Sequence, residues 1–205
     1  MKSSRILSWA AALCLGTAVS VCAQTWTEQG DAGDLVSTSQ QPAGTGPLLN
    51  IIGTLGGLDT VDMYCIDILD RTHFTATLQS TDLAGSPLWL FDPNSTGITS
   101  QEGWYISTPS QITGTYVLNP GTYYLAVSLH DIFAQDPGGS DIWTINPRST
   151  EIPPDGPGAP GPLASWFGVW GQAGSYTLVL TSTGYCGGSV PALRGSWGKV
   201  KSLYR

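Results

Sequence analysis

An all-β fold, a β-sandwich or jelly roll of about eight antiparallel strands, is what this sequence predicts, on three observations. Short runs of alternating apolar and polar residues, rich in Thr, Val, Ile, Tyr and Trp, recur along the chain and are broken by Gly, Pro, Asn and Asp. Helix-period patterns are nearly absent from the body. Without helical crossovers a parallel α/β arrangement has nothing to connect its strands.

At the amino terminus, Lys2 and Arg5 precede an apolar run from Ile6 to Val21 that ends in Val21-Cys22-Ala23. A positive start, an apolar stretch and a small-residue end are the pattern of a secretory signal peptide, here residues 1–23. Ser8, Gly16, Thr17 and Ser20 interrupt the run, which sits at the short end for an anchor helix. Leu13 before Cys14 and Val21 before Cys22 are bulkier than the residue a lipoprotein signal places before its modified cysteine. The expected destination is the periplasm, the cell surface or the medium. No later segment is apolar for long enough to span a bilayer.

Residues 24–186 are then expected to form one domain, since the remaining length suits one core better than two. In Asp62-Met63-Tyr64-Cys65-Ile66-Asp67-Ile68, period-two geometry puts Tyr64, Ile66 and Ile68 on one face. Phe74, Ala76 and Leu78 repeat the pattern. Further strands are predicted at Leu88–Phe91, Thr115–Leu118, Tyr123–Leu129, Asp141–Ile145 and Tyr176–Thr181, with a turn at Asn119-Pro120-Gly121. Pro147 to Pro162 carries six prolines and is expected to stay out of the ladders as a surface loop. Residues 187–205 open on Gly187-Gly188 and end in a basic, aromatic segment, a tail in which Trp197, Val200 and Tyr204 could share one helical face.

Charge separates body from tail. All fifteen acidic residues lie between Glu28 and Asp155, and residues 24–186 contain two basic ones, Arg71 and Arg148, for a formal charge near −13. A body of that sign excludes nucleic acid as its partner. Arg194, Lys199, Lys201 and Arg205 crowd the tail. Cys65 and Cys186 remain after the signal, and in an exported chain the expected state is a disulfide between them, with two buried thiols as the alternative.

The residues that usually do chemistry are missing, and the chain reads as non-enzymatic. His73 and His130 are the only histidines, and His-Glu-x-x-His, Gly-x-Ser-x-Gly and Cys-x-x-Cys do not occur. Both histidines are expected in surface turns. Gly156-Pro157-Gly158-Ala159-Pro160-Gly161 spells Gly-x-Gly-x-x-Gly, but a phosphate site needs a strand before it and a helix after it, which the prolines forbid. Trp104, Tyr105, Trp166 and Trp170 are candidates for stacking on sugar rings, and core packing is the competing use of each.

Four strand motifs resemble, in order, those of bacterial pre-peptidase C-terminal domains: Gly57-Leu58-Asp59-Thr60-Val61-Asp62-Met63-Tyr64, Leu88-Trp89-Leu90-Phe91-Asp92-Pro93, Asn119-Pro120-Gly121-Thr122-Tyr123-Tyr124, and Gly174-Ser175-Tyr176-Thr177-Leu178. The resemblance spans about residues 28–182. It implies a secreted jelly-roll sandwich without catalytic residues, with a structural or surface-associated interaction role toward an extracellular polysaccharide or protein. It also implies calcium, which some members bind near the start of the domain and at the Asp-x-Asp strand. Those positions correspond here to Glu28, Asp31, Asp59 and Asp62. The match is looser there, because Gly30 stands where the family has asparagine and Asp59 and Asp62 are three apart rather than two. An acidic loop without metal is the alternative. The tail resembles short C-terminal tags that sort or attach secreted bacterial proteins.

Overall fold

The structure, a computed structural model, describes residues 24–83, 85–103, 109–144, 149–168 and 171–187. The expected signal peptide and the tail beyond residue 187 lie outside the described residues. Twelve strands are found there: β1 Thr25–Thr27, β2 Asn50–Leu55, β3 Val61–Ile68, β4 Thr75–Gln79, β5 Pro87–Phe91, β6 Gly97–Glu102, β7 Gln111–Thr113, β8 Gly121–Ser128, β9 Ile132–Gln135, β10 Ser165–Gly168, β11 Gly174–Thr181 and β12 Thr183–Tyr185. No helix among the described residues is long and apolar enough to cross a membrane.

Two five-stranded sheets form the sandwich, ordered β1-β2-β11-β4-β7 and β12-β3-β8-β5-β6, and β9 pairs with β10 in a separate ribbon. Every ladder is antiparallel except that of β1 with β2, which is parallel. The first sheet alternates as a half-solvated sheet should: Ile51 and Leu55 on β2, Ala76 and Leu78 on β4, and Tyr176, Leu178 and Leu180 on β11 are buried, while their neighbours are not.

In the second sheet, β3 and β5 are buried along their whole length. One face of this sheet meets the first sheet. The other is covered by Trp143 and Trp166, whose rings lie 5.2 and 5.7 Å from Trp89, and 5.6 and 6.1 Å from Phe91. The offset and edge-on geometry is the one aromatic quadrupoles prefer. The molecule therefore has a second, aromatic layer outside the main core.

Edges are occupied. The Met63 N–H donates to the Gly33 carbonyl, the Gln40 N–H to the Met63 carbonyl and the Cys65 N–H to the Gln40 carbonyl, each at 2.9 Å, so the chain before β2 fills the part of β3 that β12 leaves open. The proline-rich segment departs from expectation in the same way. Ile152 and Ser100 exchange backbone hydrogen bonds of 3.0 Å, which lays this loop along β6 as a short ladder. Ile152 is one of its non-proline residues and still has an N–H to give.

Two predicted strands are corrected. Thr115–Leu118 is a bend; the strand is β7, just before it, because Gly114 packs directly on the Arg71 carbonyl and the Val117 N–H returns to the Gly114 carbonyl at 3.2 Å. Asp141–Trp143 makes only an isolated bridge and turns inward, burying both Ile142 and Trp143, which a strand with one solvated face would not do. Ile145 lies outside the described residues. The glycine motif also has its explanation. A Cβ at Gly156 would collide with the Asp141 carbonyl and one at Gly158 with the Ser140 carbonyl, so these glycines serve close packing on the 136–142 loop.

Cys65 and Cys186 form the expected disulfide, with Cα atoms 5.8 Å apart and 121 residues between them in sequence. It ties the chain after β12 to the middle of β3. Closing so long a loop contributes up to about 4–5 kcal/mol on chain-entropy grounds. Cys186→Ser is expected to lower the unfolding free energy by about 2–5 kcal/mol in urea denaturation; an unchanged midpoint and slope would show that the bond adds nothing to stability.

Candidate functional site

β1 ends one residue before Glu28, and the Glu28 N–H donates to the Ile52 carbonyl at 2.9 Å, extending the parallel pairing with β2. This places the Glu28 side chain over Gly53, where a Cβ would sit 2.8 Å from Oε2 and would strike the Tyr176 hydroxyl. The absence of a side chain at residue 53 thus makes room for the carboxylate. Its Oε1 accepts from the Ala32 N–H at 3.1 Å and its Oε2 from the Thr54 N–H at 2.9 Å.

Asp59 stands at the corner where the chain passes from the first sheet to the second. Gly56 and Asp59 exchange backbone hydrogen bonds of 2.8 and 3.2 Å, and Gly57 between them has φ of 69°, a left-handed turn that suits glycine. Two residues into β3, Asp62 points between the sheets and is 0% exposed. The Tyr176 hydroxyl donates to Asp62 Oδ2 at 2.5 Å and lies 2.8 Å from the Tyr64 hydroxyl. With its one proton committed to Asp62, Tyr176 must accept from Tyr64.

One carboxylate oxygen from each of Glu28, Asp59 and Asp62 falls within 4.8 Å of the others. Oδ1 of Asp59 and Oδ1 of Asp62 are buried without a hydrogen-bond partner among the described residues. Burial, followed by the charges of Asp31 and Glu28, pushes Asp59 up to about 6. Burial dominates at Asp62 too and, with the charges of Asp59 and Glu28, outweighs the Tyr176 hydrogen bond, pushing the group up to about 8. Burial also raises both tyrosines, with Asp62's charge contributing to each, so they remain protonated donors. Such a cluster cannot hold three negative charges in the interior unless a proton or a cation lies among them.

Three of the four predicted metal residues are therefore brought together. Asp31 is exposed at the rim, where it accepts from the Gly33 N–H at 2.7 Å and is felt by Asp59 through its charge. Tyr64, Tyr176 and Gly53 were not foreseen. Tyr64 could have been found, since it shares a strand face with Asp62; Tyr176 is 114 residues from Asp62 and only the sheet topology unites them. Of the aromatic candidates, Trp166 packs on Trp89 and Phe91 and donates its indole N–H to the Asp34 carbonyl at 2.6 Å. Trp104, Tyr105 and Trp170 lie outside the described residues. His73 occupies its turn, 2.8 Å from Asp70, and His130 sits 3.1 Å from both Glu102 and Asp131.

A carboxyl group whose folded pKa exceeds its unfolded value near 4 contributes stability below that value and loses it as pH rises through the folded pKa. In chelator, the melting temperature is therefore expected to fall as pH is raised from 5 through about 6 and then about 8, a loss on the order of a few kcal/mol. Asp62→Asn, which fixes a neutral side chain of the same shape, should flatten most of that slope. A melting temperature that rises with pH in chelator would contradict the assignment.

Neither a family model nor a curated protein matches this chain.

Proposed function

We propose that the chain is an exported, non-catalytic β-sandwich module with a structural or surface-associated interaction role, latched by calcium at Glu28, Asp59 and Asp62. The observation that carries the reading is Asp62, fully buried with one oxygen unpartnered and two further carboxylates beside it. An orphaned buried carboxylate oxygen costs stability unless something satisfies it. Calcium fits the donor set. It takes six to eight oxygens from carboxylates, carbonyls and water in a flexible shell, whereas magnesium demands a tighter octahedron. Glu28 and Asp59 come from chain segments that the cation would hold together, and Asp31 at the rim offers a further carboxylate. The resemblance to pre-peptidase C-terminal domains at these same positions favours calcium over other divalent ions.

The non-catalytic part of the reading is supported by the two histidines. His73 is tied by Asp70 and the Thr72 hydroxyl within one exposed turn, a local cap, and His130 is bracketed by two carboxylates, Glu102 and Asp131. The signal pattern of residues 1–23 supports export, and the basic tail of residues 187–205 is read as an address for sorting or attachment.

Calcium at about a hundred times its Kd should stabilise the fold by about 2.7 kcal/mol, a rise in melting temperature of about 5–10 °C for a domain of this size. Glu28→Gln and Asp62→Asn should each remove the rise. Identical melting in millimolar calcium and in chelator would end the calcium reading. For the tail, deletion of residues 188–205 followed by cell fractionation should shift the protein from its normal compartment; unchanged location would refute the address role.

A further inference from the structure

Charge is distributed unevenly between the two sheets. β3 carries Asp62 and Asp67, and β6 carries Glu102, but the five strands of the first sheet contain no charged residue at all. In a chain with fifteen acidic residues, that leaves a face whose own strand residues are all neutral, with the Glu151 carboxylate accepting from the Thr113 hydroxyl at its β7 edge. Its outward positions mix hydroxyls, amides and aliphatic side chains in rows across the strands. Ile52, Thr177 and Gln79 form one such row, and Asn50, Val179, Thr77 and Gln111 the next.

At one end of this face the turn after β4 and the chain on either side of residues 104–108 rise as walls, and the space between them is a groove of about 520 Å³. Small-ligand sites commonly measure about 300–1,000 Å³. None of the described residues lining the groove is charged. Asp82, in the same turn, packs over Gly174 and is not among them. Apolar surface comes from Ile52 and Leu83, and polar groups from Gln79, Thr81, Ser86 and Thr177. Ser86 is 1% exposed, and its hydroxyl has no partner among the described residues. That hydroxyl is also shielded from the groove, so a bound ligand meets Gln79 and Thr81, which are exposed, and the half-buried Thr177 instead.

We propose that this groove binds a neutral oligosaccharide segment of a polysaccharide. A sugar ring presents apolar C–H faces and a rim of hydroxyls that both donate and accept, which matches a floor of aliphatic side chains edged by serine, threonine and glutamine. A neutral glycan meets no repulsion from the acidic body, whereas an anionic one does. Among the described residues the lining has no carboxylate to select a cation. The groove shares Tyr176 with the hydrogen-bond chain of the carboxylate cluster, but the proposal does not rest on calcium.

The test is isothermal titration of the full chain, in calcium-containing buffer, with cellohexaose, xylohexaose, mannohexaose, maltohexaose and chitohexaose, and with a polygalacturonate oligomer as the anionic control. At least one neutral hexasaccharide should bind saturably, and the anionic oligomer should bind at least tenfold more weakly. Thr177→Glu, a substitution on the solvated face, should weaken the neutral sugar at least tenfold. Leu118→Glu, at a position 81% exposed and outside the groove, should leave binding unchanged. Thr81→Glu guards against a folding artefact: at a second, exposed position of the lining it should weaken binding likewise while leaving the melting temperature unchanged. The proposal is overturned if no neutral hexasaccharide binds at millimolar concentration, if the anionic oligomer binds equally well, or if Thr177→Glu and Thr81→Glu bind like the parent. Calcium stabilisation is read separately by melting temperature, so either claim can fail alone.

Discussion

A carboxylate with no exposure, Asp62, sits between two sheets, and the architecture around it depends on keeping it there. Burying an ionisable group without compensation is costly, and here the compensation comes from both sheets. Tyr64 hands a hydrogen bond to Tyr176, and Tyr176 hands one to Asp62, so β3 and β11 are stitched by a polar chain inside an otherwise apolar core. The same position draws in the N-terminal arm. Glu28 reaches the cluster because β1 runs parallel to β2 and because Gly53 leaves space beneath its carboxylate. Asp59 arrives through the corner between the sheets. One buried acid thus fixes the relation between the arm, the corner and both layers.

β3 joins the functional parts of the fold. Its second residue is the buried acid, its Met63 and Cys65 backbone groups hold the 33–40 segment, and its Cys65 side chain holds Cys186 at the root of the tail. It is buried along its whole length, and the aromatic layer of Trp143 and Trp166 covers β5 in the same sheet. A strand buried on both faces and paired on both edges cannot move independently. The disulfide and the carboxylate cluster therefore bear on the same element.

What could be read from the sequence was whatever period-two alternation reports. β3, β4, β8 and β11 carry apolar residues at every second position, β5 stands out as a continuous apolar run, and the absence of helix signals settled the class. Alternation misleads where a short segment buries consecutive side chains, as Ile142 and Trp143 do, and where a glycine contact shifts the strand, as Gly114 does before Thr115. It is silent on three-residue strands such as β1 and β12, whose pairing comes from tertiary context. Glu28, Asp59 and Asp62 could be named in advance because family-like motifs mark them. Tyr176 and Gly53 could not, because their roles exist only once β11 lies beside β2 and β2 lies beside β1. The Gly-x-Gly-x-x-Gly string is an instructive case of letters without context: the glycines are required, but by a neighbouring loop's carbonyls rather than by phosphate.

The division of charge follows from the same construction. Placing an acid cluster at the junction of the sheets concentrates negative potential at one end of the sandwich, and acidic turns add to it. The first sheet escapes because its strands are built entirely from neutral residues, with threonine supplying β propensity and solubility together. A sheet face can be made soluble more readily with lysine and glutamate, which also protect against edge pairing. Solubility alone does not account for their complete exclusion from five strands. The proposed contact with an uncharged, hydroxyl-rich glycan would account for it, because a charge there would have to be desolvated on contact without a partner to receive it.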